Sequence, residues 1–189
     1  VYQDGRPQVA GNITVNADRS LQVLVKPTEL KAKPHHRLDV WVRAAFAGAC
    51  GMDCDTLLVS RDGRRATIRQ LPAMAPAQAR AAIDALLLLC EQARRRPLPF
   101  GPKTSHAIFD AGRRDRPERE AAVKAWEQQL HGPPGEGESA SAKLAWRDQD
   151  PFAEGTFDEW RRLAVAVFEP VDDWFANTTA ATNEETSGG

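Results

Sequence analysis

The 189-residue chain is 42% hydrophobic and 27% charged, enough apolar material for one core and an ordinary balance for a soluble domain. No apolar run approaches the roughly 20 residues of a membrane span; Cys50, Cys54 and Cys90 lack both CxxC spacing and a spaced histidine partner, so a membrane protein, a disulfide scaffold and a zinc site are disfavoured and a reducing cytoplasm fits. The net charge of -1 conceals a division: ten acids and two bases lie from Asp148 onward, leaving a body of 23 bases and 16 acids that suits a phosphate backbone or plain solvated surface.

Val1 opens the sequence without a methionine or a signal pattern, which reads as a piece of something longer. The β-rich runs Gln8 to Val15 and Leu21 to Lys26 flank the turn-rich Asn16 to Ser20 and predict a hairpin. Pro27 and Pro34 bracket a connector with Lys31 and Lys33. Leu38, Val42, Ala45, Phe46 and Ala49 then recur at helical spacing, predicting an amphipathic helix over 36–50 that Gly51 stops, with Trp41 as packing. A second hairpin, 55–61 with 64–71, is expected to turn at Asp62-Gly63 as a type I′ pair. Its tip is basic. Arg61, Arg64, Arg65 and Arg69 suit phosphate contact and equally suit the protection of an edge strand by charge.

The longest helix is expected over 76–95, entered at Pro76 and ended by Arg94-Arg95-Arg96, with Ala79, Ile83, Leu86, Leu87 and Cys90 making it the central core helix. The proline-rich stretch 97–102 predicts an extended, rigid connector leading to Lys103 and a short helix near 106–111. After the basic run from Arg113 and Arg114 to Arg119, a helix to about Leu130 carries Ala122, Val123 and Trp126 inward. Residues 132–139 read as a flexible loop without a phosphate-binding GxxxxGK[ST] pattern. A short docked segment follows at 143–152, and Thr156 with Glu159 matches a capping box for a last helix ending before Pro170. Trp174 and Phe175 anchor the close, so one domain over 1–175 precedes an acidic, polar tail over 176–189 that is expected to be disordered.

A hairpin whose second strand ends in lysine and leads toward a helix is the scaffold on which PD-(D/E)XK nucleases mount their metal site. Such chemistry needs carboxylates, because Mg²⁺ takes hard oxygen ligands and activates the attacking water. The corresponding positions hold Thr14 and Leu24, the latter two residues before Lys26, and neither side chain anchors a divalent cation. Asp18 and Glu29 stand at irregular positions. No catalytic residue, metal or cofactor is therefore assigned, and an active nuclease drawing on Asp18 or Glu29 remains the alternative.

Several short motifs, in order, resemble the C-terminal domain of RecC, the gamma subunit of the exodeoxyribonuclease V (RecBCD) family. They are Leu38 to Val42 with Gly48 to Gly51, Ser60 to Gly63, Leu71-Pro72 with Gln78-Ala79, Pro97 to Phe100 with Pro102, Lys124 to Glu127, Gly135 to Gly137, and Leu144 with Trp146-Arg147. Three cysteines speak against the iron–sulfur nucleases of the AddB kind, whose cluster takes four thiolates. The resemblance implies an α/β (α+β) domain of PD-(D/E)XK nuclease-like fold that has lost its metal site, in a non-catalytic subunit. It further implies RecB-like and RecD-like partners, double-stranded DNA ends and forked DNA as substrates of the assembly, and a cytoplasmic role in recombinational repair. A DNA surface is expected first at Arg61, Arg64 and Arg65, then at Lys103, Arg113 and Arg114. An α/β interaction domain that binds no DNA is the third reading.

Overall fold

The computed structural model describes residues 2–3, 6–7, 13–16, 18, 20–27, 33–127, 134–147 and 149–176. In chain order these form β1 (Tyr2–Gln3), β2 (Arg6–Pro7), β3 (Leu21–Val25), α1 (Pro34–Ala49), β4 (Asp55–Asp62), β5 (Arg65–Leu71), α2 (Pro76–Arg95), α3 (Pro102–Arg113), α4 (Glu118–Trp126), α5 (Ala140–Trp146) and α6 (Glu154–Ala176). The fold is mixed α/β. Two compact units divide it: Val1–Ala32 with Asp39–Leu89 and Asp173–Gly189, and Lys33–Leu38 with Cys90–Asp172. The expected tail begins one residue too early, since Ala176 closes α6; 177–189, like Gln8 to Asn12, Glu29, Lys31, Leu130 and Gly132, lie outside the described residues.

The first unit is built on a sheet of order β3-β4-β5. β3 runs parallel to β4, with Leu21 opposite Asp55 and Val25 opposite Val59, while β4 and β5 are antiparallel, with Thr56 opposite Leu71 and Asp62 opposite Arg65. The expected hairpin over 8–26 is therefore corrected. Residues 13–16 form no strand, and β3 finds its partner beyond α1. The turn signals are sound all the same: Asn16 Oδ1 accepts from Leu21 N at 2.9 Å and Asp18 Oδ1 from Ser20 N at 3.0 Å, so Asn16 to Ser20 do bend the chain into β3.

Alternation gives the sheet two unlike faces. Gln22, Thr56, Leu58, Ser60 and Leu71 lie on the buried one, where Gln22 donates to Thr56 Oγ1 at 2.7 Å and so satisfies a polar pair inside the core. In the same unit α1 buries Val40, Trp41, Ala44, Ala45 and Ala47, and its Gly48 lies against Met74 and Ala79. The β4–β5 turn is also corrected. Gly63 and Arg64 are its two central residues, and only Gly63 has positive φ, at 58°, so the pattern is that of a type II′ turn with glycine first rather than I′. α2 has the expected limits but is not the core helix: Ala79 is its buried residue, while Leu88 and Cys90 are exposed. Periodicity marks an apolar face without saying what covers it.

In the second unit α3 and α4 pack together, and the ring of Phe168 on α6 meets Phe100, His106 and Phe109. Trp126, Phe152 and Trp160 form a second cluster with ring centres 5.8 to 5.9 Å apart. α3 is longer than expected because Pro102 starts it, its fixed φ suiting a first turn. The segment expected to be a flexible loop is instead a packed one over its described part. Glu136–Glu138 form a 3-10 turn, Gly137 lies against the Trp126 indole where a Cβ would collide, and Glu136 accepts from Lys103 N and Thr104 N at 3.2 and 2.8 Å. A carboxylate thus closes the start of α3.

Residues 140–146 form α5, capped by Ser139, whose Oγ accepts from Ala142 N. α6 starts at Glu154, so Thr156 lies inside its first turn and Glu159 bonds Arg96 at 2.5 Å instead of closing a capping box. It also continues through Pro170 to Ala176. The missing backbone bond is offset by the burial of Val171, Trp174 and Phe175, which lie on the turns the proline was expected to end.

Candidate nucleic-acid interface

The nuclease-type positions come first. Thr14 is exposed and outside any strand, and Leu24 is a half-buried residue of β3 opposite Leu58. Lys26 extends β3 by one rung, its N donating to Val59 O at 2.8 Å, and its Nζ reaches Asp39 Oδ2 on α1 at 2.6 Å. Arg43 Nε shares that carboxylate at 3.1 Å. Burial raises the pKa of Asp39, but the hydrogen bonds from Lys26 and Arg43 outweigh it and leave the group below its ordinary value. Sequence reading misses this partner, since nothing beside Lys26 in the chain announces an acid thirteen residues on. Asp18, one of the two acids of the alternative reading, is exposed in its turn and bonded to Ser20. Among the described residues, no three histidine, cysteine or acidic side chains gather as they would around a metal ion, and no helix is long and apolar enough to cross a membrane.

The hairpin arginines are all exposed, and none is in an ion pair among the described residues. The register separates them. Arg61 pairs with Ala66 and shares the face of Val59 and Ile68; Arg65 and Arg69, opposite Asp62 and Leu58, belong to the other face; Arg64 sits in the turn between. The expected Arg61, Arg64 and Arg65 patch therefore wraps a hairpin tip rather than lying on one side of it.

Lys103, Arg113 and Arg114 belong to the second unit. Lys103 is exposed at the start of α3. Arg113 bonds Asp172 at 2.7 Å and lies 5.6 Å from the Phe109 ring centre, and Arg114 bonds Asp110 at 2.9 Å. Both remain more than half exposed, and such surface pairs hold their partners weakly, by about 0–1 kcal/mol. The rest of this basic run is engaged differently. Arg119 donates to Phe152 O and covers the Phe157 ring, and Arg161 covers the same ring while bonding Glu118 at 2.5 Å. These residues line an open cleft of about 1230 Å³ in which six carboxylates outnumber four cations, an environment that repels phosphate. His106 is half-buried against Phe168, and that partial burial, with Arg37 nearby, holds its pKa below the usual imidazole value.

Compared with known proteins, residues 4–113, more than half of the chain, match the family model described as the RecC C-terminal domain. The RecBCD enzyme subunits RecC of two Mycobacterium tuberculosis strains, CDC 1551 / Oshkosh and ATCC 25618 / H37Rv, are each 29% identical to it over 152 residues. The match takes in 79% of this chain and spans 13% of the length of those curated relatives. With the match running from β2 through β3, α1, the β4–β5 hairpin, α2 and α3, the chain belongs to the RecC C-terminal domain family.

Proposed function

We propose that this chain is a non-catalytic, PD-(D/E)XK nuclease-like module of a RecBCD-type exodeoxyribonuclease V. It acts in subunit assembly and in DNA handling at strand separation, during double-strand break repair by homologous recombination in the cytoplasm. RecB-like and RecD-like subunits are its protein partners, and double-stranded ends and forks are the DNA of the assembly. The observation that carries the reading is the lysine of the nuclease-type motif. Lys26 follows the last residue of β3 and its Nζ is held by Asp39, Leu24 two residues before it offers no ligand to Mg²⁺, and Thr14, the other position read from the sequence as replacing an acid, lies outside any strand. A module so equipped needs no cofactor and offers DNA its exposed arginines.

The test is a titration of Mg²⁺ and Mn²⁺ into the chain with a labelled forked duplex, reading retention and cleavage together. The substrate is expected to stay uncut. Replacing Arg61, Arg64 and Arg65 by alanine is expected to weaken retention alike across sequences and to flatten the salt dependence by about 1 in log–log slope for each phosphate no longer neutralised. Cleavage that Lys26→Ala abolishes would overturn the reading and make the chain an active nuclease. The pairing of Arg113 with Asp172 and Arg114 with Asp110 favours a second reading, an interaction domain without DNA binding, which predicts no retention of forked DNA at any salt concentration.

A further inference from the structure

We propose that the open face of the β3-β4-β5 sheet seats an amphipathic helix of a partner protein, apolar along its middle and carrying a carboxylate at the end that meets Arg61. The register places Val23, Val25, Leu57, Val59 and Ile68 together on this face. Val23 is 51% exposed, Val25 63% and Ile68 43%, whereas Leu58 on the opposite face is fully buried. Parallel strands such as β3 and β4 ordinarily have both faces covered, and helices are the elements that cover them. Here Val23, Val25 and Ile68 are exposed and Leu57 and Val59 only half-buried, although their side chains are those of a covered strand.

The charge on the face selects the occupant. At one end the Asp55 carboxylate is already engaged, accepting from Gln70 Nε2 and Ala73 N, each at 2.8 Å. At the other end Arg61 is exposed and in no ion pair among the described residues. The free charge is positive. A second copy laid on this same face would bring another Arg61 and another engaged Asp55, so a two-fold pairing of the face offers no free carboxylate in return. Nucleic acid offers phosphate to Arg61 at the hairpin tip, as the proposed DNA surface has it, but the face itself has no aromatic side chain on which bases could stack, so its apolar middle is left to a protein occupant. A helix with an apolar stripe that ends in aspartate or glutamate meets both features at once.

This inference gives the assembly part of the proposed function a surface and rests on that part. The 189-residue chain is titrated with two synthetic alanine–leucine helical peptides sharing one apolar stripe, one ending it in glutamates and the other in lysines. Methyl NMR of Val23, Val25, Val59 and Ile68 locates them. The glutamate peptide is expected to shift these methyls and to bind at least ten-fold tighter than the lysine peptide, and Arg61→Glu is expected to invert that preference. Val23→Thr with Val25→Thr keeps β-branched residues at exposed positions and is expected to weaken binding at least ten-fold with an unchanged circular dichroism spectrum. Unmoved methyls, equal binding of both peptides, or a chain dimer in sedimentation that the threonine variant dissolves would each overturn the inference. Co-purification with RecB-type and RecD-type subunits tests the assembly reading separately, and its failure with peptide binding intact removes that reading while leaving the surface.

Discussion

Glu136→Ala is expected to destabilise the chain through the start of α3, thirty-two residues upstream of the side chain removed. The carboxylate accepts from Thr104 N at 2.8 Å and from Lys103 N at 3.2 Å. Thr104 is fully buried, so its orphaned N–H has no ready replacement and costs about 1–3 kcal/mol. Lys103 is exposed and turns to water, while removing the negative charge at a helix start costs about 0.3–1 kcal/mol more. The sum is about 1–4 kcal/mol, which for a chain of this size lowers Tm by about 3–16 °C. Glu136→Gln keeps one oxygen acceptor and is expected to lose about half as much. Urea and thermal denaturation followed by circular dichroism measure both, and amide hydrogen exchange at Thr104 reports the local opening. A Cβ at Gly101 would collide with the same carboxylate, so Gly101→Ala is expected to cost clearly less in the Glu136→Ala background than alone. Alanine at 136 costing under about 0.5 kcal/mol would refute the reasoning, since a carboxylate that satisfies a buried amide cannot be so cheaply removed.

Three further outcomes follow from the geometry. Gly63→Ala forces a side chain onto a φ of 58° and is expected to cost about 1–2 kcal/mol by differential scanning fluorimetry, with Gly63→Asn costing less. Leu58→Ala, at a fully buried position, is expected to cost about 2–5 kcal/mol in urea titration, whereas Val25→Thr at a largely exposed one stays within about 0.5 kcal/mol. Asp39 and Glu159 both titrate below their ordinary values; for Glu159 the hydrogen bond from Arg96 is the main cause. A lowered folded-state pKa means stability that is complete above the unfolded carboxylate range, from about pH 5 upward, and is lost as pH falls through the lowered values. Asp39→Asn is therefore expected to flatten the acid limb of the stability curve, and an unchanged limb would show the Lys26–Asp39–Arg43 cluster to be idle.

What can be read from the sequence is what is local. The limits of α2, the body of α1 and the existence of the β4–β5 hairpin follow from periodicity, proline and glycine within a dozen or so residues. The partner of β3 does not, because Leu21 pairs with Asp55 across α1 and no neighbour announces it. Asn16 to Ser20 carry true turn chemistry and so imitate a hairpin. The basic run from Arg113 is legible as charge but not as pairing, since Asp172 lies 59 residues away. The division of Arg61 from Arg65 is within reach: with β4 running to Asp62, alternation alone assigns them to opposite faces. Gly135 to Gly137 look loose because glycine is loose by itself, and only Trp126 and the amides of α3 make the segment rigid.

The parallel pairing of β3 with β4 also sets an order of events during synthesis. β4 and β5 are joined by a two-residue turn and can close within microseconds of emerging, whereas β3 must wait for a strand thirty-four residues behind it. β3 therefore leaves the ribosome first and acquires its hydrogen-bonding partner later, after α1 has been translated. Throughout that interval both of its edges are unpaired and Val23 and Val25 face water, the combination that invites pairing with a strand of another nascent chain. Slower translation across α1 is therefore expected to lengthen the exposure of β3, and faster translation to shorten it.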